Sequence, residues 1–192
     1  SVVALSTGKG SHSRVADLSH RIEWIKFDKG AAVADLLNIL PPVDGAGNAA
    51  GAYGAGGISA SELIETNILF PMMVVELLAK AGGRRFVNLD TFYPAERDEY
   101  ALSKAQLREW LKGAARRLPL DVINLRLQHV YGPHDGRQKF IPSLVTACLE
   151  NLSHVDLTKG EQRRDFIYVD DVVEALYAAL FLCDKSSPHS GA

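Results

Sequence analysis

Arg85-Phe-Val-Asn-Leu-Asp-Thr91 and, after eight intervening residues, Tyr100-Ala-Leu-Ser-Lys104 decide how this chain folds. The first run is a short apolar strand ending in a hydroxyl. The second opens a helix that continues from Lys104 to Arg117, and Asp121-Val-Ile-Asn-Leu-Arg-Leu127 is another β-rich run, closing in Val130-Tyr-Gly-Pro133. Strands that alternate with helices predict an α/β fold with a parallel, doubly wound sheet. Tyr100 and Lys104 stand four residues apart on their helix, so their side chains share one face. An ammonium beside a phenol stabilises the phenolate, and the pair predicts a tyrosine pKa lowered from about 10. Such a tyrosine passes a proton to or from a hydroxyl or carbonyl at neutral pH.

Outward from this centre, Ser1-Val-Val-Ala-Leu5 is strand-like, the polar stretch after it is a loop, and Arg21-Ile-Glu-Trp-Ile-Lys-Phe27 alternates as a second strand. A helix is expected over Ala31 to Leu40, stopped by Pro41-Pro42. Residues 44–57 are rich in Gly and Ala. The glycines at 45, 47 and 51 are not a dinucleotide fingerprint, because Ile39-Leu-Pro-Pro-Val43 is no buried strand. This stretch is expected to be irregular or poorly ordered. Ser59 and Glu62 form a capping box for a long apolar helix that ends at Gly82-Gly83 and is kinked at Pro71. Another helix is expected over Phe140 to Leu152, and a last one capped by Asp170 or Asp171 through Leu182. Residues 183–192 read as a flexible tail.

A chain of 192 residues fits one domain with a substantial core. The net charge of −2 gives no basic footprint, which argues against nucleic acid as a partner. Cys148 and Cys183 lie in apolar helical stretches and are expected to be packed thiols, in keeping with a reducing cytoplasm. The histidines have no close metal-ligand spacing, so no metal is expected. No apolar run reaches membrane-spanning length, and no membrane partner is expected.

Taken in order, the strand ending in Thr91, the Tyr100/Lys104 helix, the run to Tyr131-Gly-Pro133 and Arg163-Arg-Asp-Phe-Ile-Tyr-Val-Asp-Asp-Val-Val173 resemble the extended short-chain dehydrogenase/reductase family. This is the NAD-dependent epimerase/dehydratase group of Rossmann-like nucleotide-sugar enzymes. Glu65-Thr-Asn-Ile-Leu-Phe-Pro71, Asn88-Leu-Asp-Thr-Phe92 and Gly160-Glu-Gln-Arg-Arg-Asp-Phe166 are most similar to sugar-nucleotide 4-ketoreductases of the CDP-abequose and CDP-paratose synthase type. Measured against that family, the chain starts at the second strand, without the first strand and its glycine-rich turn, and Gly45-Ala-Gly-Asn48 stands where the family's fourth strand has an apolar run, a departure expected to weaken that strand. It also stops before most of the smaller substrate region. Residues 1–182 then form one domain, with about 134–182 on the substrate side.

The resemblance implies roles residue by residue. Tyr100 is the general acid, Lys104 tunes it and bonds the nicotinamide ribose, and Thr91 bonds the reacting oxygen. Asn67 shapes the site through backbone contacts. Ser6, Lys9 and Arg14 follow the second family strand, where hydroxyls and cations favour NADP(H) over NAD(H); Asp28 and Ala50 also border the cofactor. Arg164 grips the diphosphate, and His129 and Lys139 line the substrate pocket.

Family 4,6-dehydratases carry Asp-Glu directly after the Ser/Thr, whereas Phe92-Tyr93 follow Thr91 here. The expected reaction is therefore NADPH-dependent reduction of a nucleotide-linked 4-keto-6-deoxy sugar. A nucleotide-sugar 4-epimerase uses the same Tyr and Lys and stays open, as does a non-catalytic fragment or degenerate homologue acting as a scaffold. A homodimer is a further expectation, through the Tyr100 helix.

Overall fold

The computed structural model describes residues 2–6, 13–27, 33–53 and 57–182, without the side chains of Ser13 and Arg14. Lys9, Asp28, Cys183 and the 183–192 tail lie outside the described residues, as does the side chain of Arg14.

The centre is a three-stranded parallel sheet. Its strands are β3 (Gly45–Asn48), β4 (Arg85–Thr91) and β5 (Asp121–Leu127), in that spatial order. A second parallel pair is formed by β1 (Val2–Ser6) and β2 (Ile22–Lys26), and a third by β6 (Val130–Tyr131) and β7 (Ile167–Tyr168). The parallel α/β class holds, with the strands among the described residues divided among three sheets.

One face of the central sheet is covered by α3 (Phe70–Lys80) and α4 (Glu99–Arg117), the other by α6 (Val169–Phe181). Phe86 of β4 is fully buried among Val75 and Leu78 of α3 and Leu107, Leu111 and Ala114 of α4. Burying such a side chain contributes about 2–3 kcal/mol. From another side of α3, Leu77 packs with Phe27 and with Leu36 of α1 (Val33–Leu37). Phe27 stacks on Phe70 with ring centroids 5.3 Å apart. α3 therefore serves two cores at once.

The Gly/Ala stretch departs from expectation. Gly45–Asn48 is a regular strand in register with Arg85–Asn88. Its small residues are matched to α6: a Cβ on Gly47 would lie 3.3 Å from Leu176, and one on Gly45 would lie 2.9 Å from the Arg85 carbonyl. The missing side-chain volume is supplied by the leucines of α6. Arg85 fixes that helix end by donating to the carbonyls of Ala179 and Leu180, at 3.3 and 3.2 Å.

Pro71 also acts differently from the expected kink. The capping box at Ser59 opens α2 (Ala60–Ile64), and Glu65–Leu69 then widen into a π-helical turn before α3. Proline has no N–H to continue the α-helical ladder, and the wider turn, which ends two residues before it, absorbs the interruption. Gly82, at φ 80°, ends α3 in the left-handed region that suits glycine.

Three smaller expectations need correction. α6 is capped by Tyr168 without a side-chain bond, so Asp170 and Asp171 fall in its first turn, where they face the positive end of the helix dipole. α5 (Phe140–Leu149) ends before Leu152. Cys148 is exposed because α5 buries only Ala147.

Candidate active site

Parallel strands place their carboxyl ends on one side, where α/β folds bind ligands. Thr91 ends β4, Asn48 ends β3, Ser6 ends β1, and His129 lies two residues beyond β5. Asn48 and Thr91 therefore share one edge of the central sheet, with His129 just beyond it, and Ser6 holds the equivalent position in the β1–β2 pair.

Helix α4 runs along the end of β4 and presents Tyr100, Lys104 and Arg108 on one stripe. Asp98 caps it by accepting the Ala101 amide at 2.7 Å, which fixes where Tyr100 enters. Lys104 is buried and its Nζ donates to the Leu89 carbonyl at 2.9 Å. One of its three donors is thus used by the strand. Burial lowers the Lys104 pKa, and the Asp90 carboxylate opposes that shift. Thr91 is buried, and its Oγ1 accepts the Tyr93 amide at 3.3 Å, which leaves the hydroxyl's own proton for an acceptor.

The expected lowering of the tyrosine pKa is overturned. Tyr100 is pushed well above the ordinary phenol range, first by burial, then by hydrogen bonding to Tyr53 and the negative charges of Asp90 and Asp98. The Lys104 ammonium is turned to the strand, where it bonds the Leu89 carbonyl. The phenol stays protonated at neutral pH, as a proton donor requires.

Asn67, buried in the π-helical turn, accepts the Ala52 amide at 2.8 Å. Its Nδ2 donates to the Ala52 carbonyl and to Ser103 Oγ, each at 2.9 Å. A mid-helix asparagine is poor for helix propensity; here it pins the loop after β3 to α4. Tyr53, the next residue of that loop, stacks on Tyr100 with ring centroids 4.3 Å apart. Ala50 donates its amide to Asn48 Oδ1 at 3.2 Å in the same loop.

A second cluster adjoins Thr91 through Tyr93. Arg164 Nη1 donates to His129 Nε2 at 2.8 Å, and His129 Nδ1 lies 3.4 Å from the Tyr93 hydroxyl. Burial and the cations of Arg164 and Arg97 lower the His129 pKa, which favours the neutral ring that this acceptor role needs. The Arg97 guanidinium sits 3.4 Å above the Tyr93 ring. Lys139 stands apart, paired with Asp135 at 2.7 Å. Ser6 closes β1, and its carbonyl accepts the Phe27 amide at 3.1 Å.

Several functional neighbours escape a reading by motif. Asp90 and Arg108 form an ion pair at 2.6 Å, with the carboxylate fully buried. A carboxylate directly before Thr91 was the available signal. Tyr53 was marked by being a lone aromatic in a Gly/Ala run. The ladder Asn48–Asn88–Asn124, joined at 2.8 and 3.0 Å across three strands, was legible only once the register was known.

A parallel α/β fold with threonine at a strand end and tyrosine and lysine on the helix that follows it defines a Rossmann-like class of α/β proteins. The chain belongs to the NAD dependent epimerase/dehydratase family, whose model matches residues 1–189. It is 32% identical over 166 residues to CDP-abequose synthase of Salmonella typhimurium, a match covering 83% of this chain and 55% of that protein. It is 29% identical over 114 residues to dTDP-4-dehydro-6-deoxyglucose reductase of Escherichia coli, covering 54% of this chain and 35% of that one. The chain spans about half the length of these curated relatives of the CDP-abequose synthase type. Among solved structures, UDP-glucuronic acid 4-epimerase of Bacillus cereus in complex with NAD superposes with a TM-score of 0.74 at 20% identity, over 93% of this chain and 64% of that one. MoeE5 in complex with UDP-glucuronic acid and NAD gives 0.70 at 24% identity, over 96% and 65%. These structural likenesses establish the fold.

Proposed function

We propose that this chain carries the catalytic side of a nicotinamide-dependent reductase acting on a nucleotide-linked 4-keto-6-deoxy sugar. The observation that carries this reading is the pair Tyr100 and Lys104, one turn apart at the start of α4, with Lys104 bonded to the Leu89 carbonyl two residues before Thr91 on β4. The similarity to CDP-abequose synthase and to a dTDP-4-dehydro-6-deoxyglucose reductase supports the same reaction class.

The nicotinamide cofactor, when bound, supplies the hydride. The residues present fit it: Lys104 keeps two ammonium donors beyond its bond to Leu89, suited to ribose hydroxyls. Ser6 lies at a strand end, and with Lys9 and Arg14 it suits a 2′-phosphate, the basis for preferring NADP(H). Asp28 and Ala50 belong to the same cofactor face in this reading. Thr91 donates to the ketone oxygen and orients it, and Tyr100 gives that oxygen its proton. Arg164, held against His129, offers its remaining forked donors to the diphosphate of the sugar nucleotide. Lys139 serves at the rim, since it is engaged with Asp135. Tyr93, Arg97 and Phe166 surround His129 and extend this binding region.

A homodimer fits exposed Leu102 and Trp110 on α4 and Ile64 and Leu69 before α3. Among the described residues no helix is long and apolar enough to cross a membrane; a cytosolic setting suits the free thiol of Cys148. In the domain reading, residues 1–182 act as one unit with 134–182 on the substrate side.

The test is oxidation of NADPH by the protein with a nucleotide-linked 4-keto-6-deoxy sugar. Stoichiometric formation of the 6-deoxy alcohol is expected. Interconversion of UDP-glucose and UDP-galactose without ketone reduction would instead establish the 4-epimerase. Absence of both reactions and of cofactor binding would leave the scaffold role.

A further inference from the structure

Between Thr91 and Arg164 runs a chain of side chains whose hydrogen bonds can point in only one direction. Arg164 Nη1 lies 2.8 Å from His129 Nε2, and His129 Nδ1 lies 3.4 Å from the Tyr93 hydroxyl. A guanidinium can only donate. His129 Nε2 must therefore present its lone pair, so the ring is neutral and carries its proton on Nδ1. Burial and the cations of Arg164 and Arg97, which lower the His129 pKa, act in the same sense. The Nδ1 proton faces Tyr93, whose oxygen accepts it. Tyr93 keeps its own hydroxyl proton, and among the described residues no other group accepts it.

Both ends of this chain are anchored. The Asp165 amide donates to Gln128 Oε1 at 3.0 Å and the Ile167 amide to the His129 carbonyl at 3.3 Å, which holds Arg164 beside the ring. The imidazole packs on Phe166, with ring centroids 5.4 Å apart, and meets the Tyr93 ring edge-on at 5.9 Å. At the other end, the Tyr93 amide donates to Thr91 Oγ1 at 3.3 Å and the Phe92 amide to the Leu127 carbonyl at 3.0 Å. The Arg97 guanidinium sits 3.4 Å above the Tyr93 ring and is itself paired with Asp98 at 3.4 Å. A bond accepted from His129 and a cation over the ring both stabilise negative charge on the phenol oxygen. Both therefore make its hydroxyl a stronger donor.

We propose that His129 is a positioning residue that turns Tyr93 into a hydrogen-bond donor for the sugar of a nucleotide sugar, with Arg164 fixing the direction of the relay. This rests on the reading of Thr91 and Arg164 as the two ends of a sugar-nucleotide site, one at the reacting oxygen and one at the diphosphate. Tyr93 is joined to both, through its amide to Thr91 and through its hydroxyl and His129 to Arg164. It therefore stands along the sugar between them. With both ring nitrogens engaged, His129 acts on the ligand through its neighbours rather than by contact. The hydroxyls of Thr91 and Tyr93 and the free N–H groups of Arg164 then all donate, a set that suits ligand oxygens acting as acceptors.

Two measurements test this. Long-range 1H–15N correlation NMR of histidine-labelled protein at mildly alkaline pH reads the tautomer without substrate. The His129 signals, assigned by their loss in His129→Gln, should show a protonated Nδ1 and a bare Nε2. Arg164→Met should move the proton to Nε2, because a phenol O–H bond to Nδ1 is the better one once Nε2 is released. Tyr93→Phe should leave it on Nδ1. A proton on Nε2 in the wild type, or one that stays on Nδ1 in Arg164→Met, overturns the relay.

Calorimetric titration with CDP-glucose, UDP-glucose and dTDP-glucose, each against its nucleoside diphosphate, reads the ligand side. For the conjugate that the wild type binds most tightly, Tyr93→Phe should weaken binding about fivefold and leave the nucleoside diphosphate unaffected. Arg164→Met should weaken both. An equal loss for the nucleoside diphosphate in Tyr93→Phe, no loss at all there, or a wild type that binds none of the conjugates overturns the proposal. The expected pattern in a protein that reduces no ketosugar upholds it and rejects the reductase reading. Ketone reduction by a Tyr93→Phe variant that binds as the wild type does rejects the proposal alone.

Discussion

Tyr100 and Lys104 share a helix face, yet burial decides their protonation more than their proximity does. Desolvation raises the phenol and lowers the ammonium, because both shifts favour the neutral form. Tyr100→Phe should lower kcat for ketone reduction by about 100-fold or more with KM nearly unchanged, since only the proton is lost; steady-state kinetics would check this. The lysine also has a stability signature. Its folded pKa lies below 10.5, so the unfolded chain binds more protons between the two values and stability rises with pH there. Tyr100 acts in the opposite sense, but only above its ordinary value of 10.0. Lys104→Met should therefore flatten the rise of the urea midpoint between neutral pH and pH 10. Asn67→Ala should cost about 2–3 kcal/mol, since the Ala52 amide and carbonyl and Ser103 all lose a partner. Chemical denaturation would measure that loss.

At the scale of elements, the glycines of β3 show why composition misleads. Gly45-Ala-Gly-Asn48 has the residues of a turn, and local propensity predicts irregular chain. It becomes a strand because β4 supplies its hydrogen-bond partners and α6 supplies its missing bulk. Gly45→Val should destabilise by about 1–3 kcal/mol through overpacking against the Arg85 carbonyl and Leu180. Gly51→Ala, with no atom within 4 Å of the added Cβ, should be near neutral. Thermal unfolding of the two variants would separate tertiary fit from strand propensity. The capping box at Ser59 was legible because both of its partners lie within four residues. The π-helical turn was not, because Pro71 states that a bond is lost without stating how the helix makes it up.

For the molecule as a whole, parallel strands bring Ser6, Ala50, Thr91 and His129 to one kind of edge, the carboxyl end. If Ser6, Lys9 and Arg14 select the 2′-phosphate, NADPH should bind about tenfold more tightly than NADH, and Lys9→Ala with Arg14→Ala should erase the difference. Cofactor fluorescence titration would read both. The order of strands and helices, the Tyr100/Lys104 pair, Thr91 and the family they signal were all written in local sequence. They depend on periodicity and spacing within single elements, which a linear chain displays. The raised phenol, the Asp90–Arg108 pair, the asparagine ladder and the strand at Gly45–Asn48 were decided by tertiary structure alone. Each depends on desolvation or on partners brought together from elements far apart in the chain, and neither exists until the elements pack.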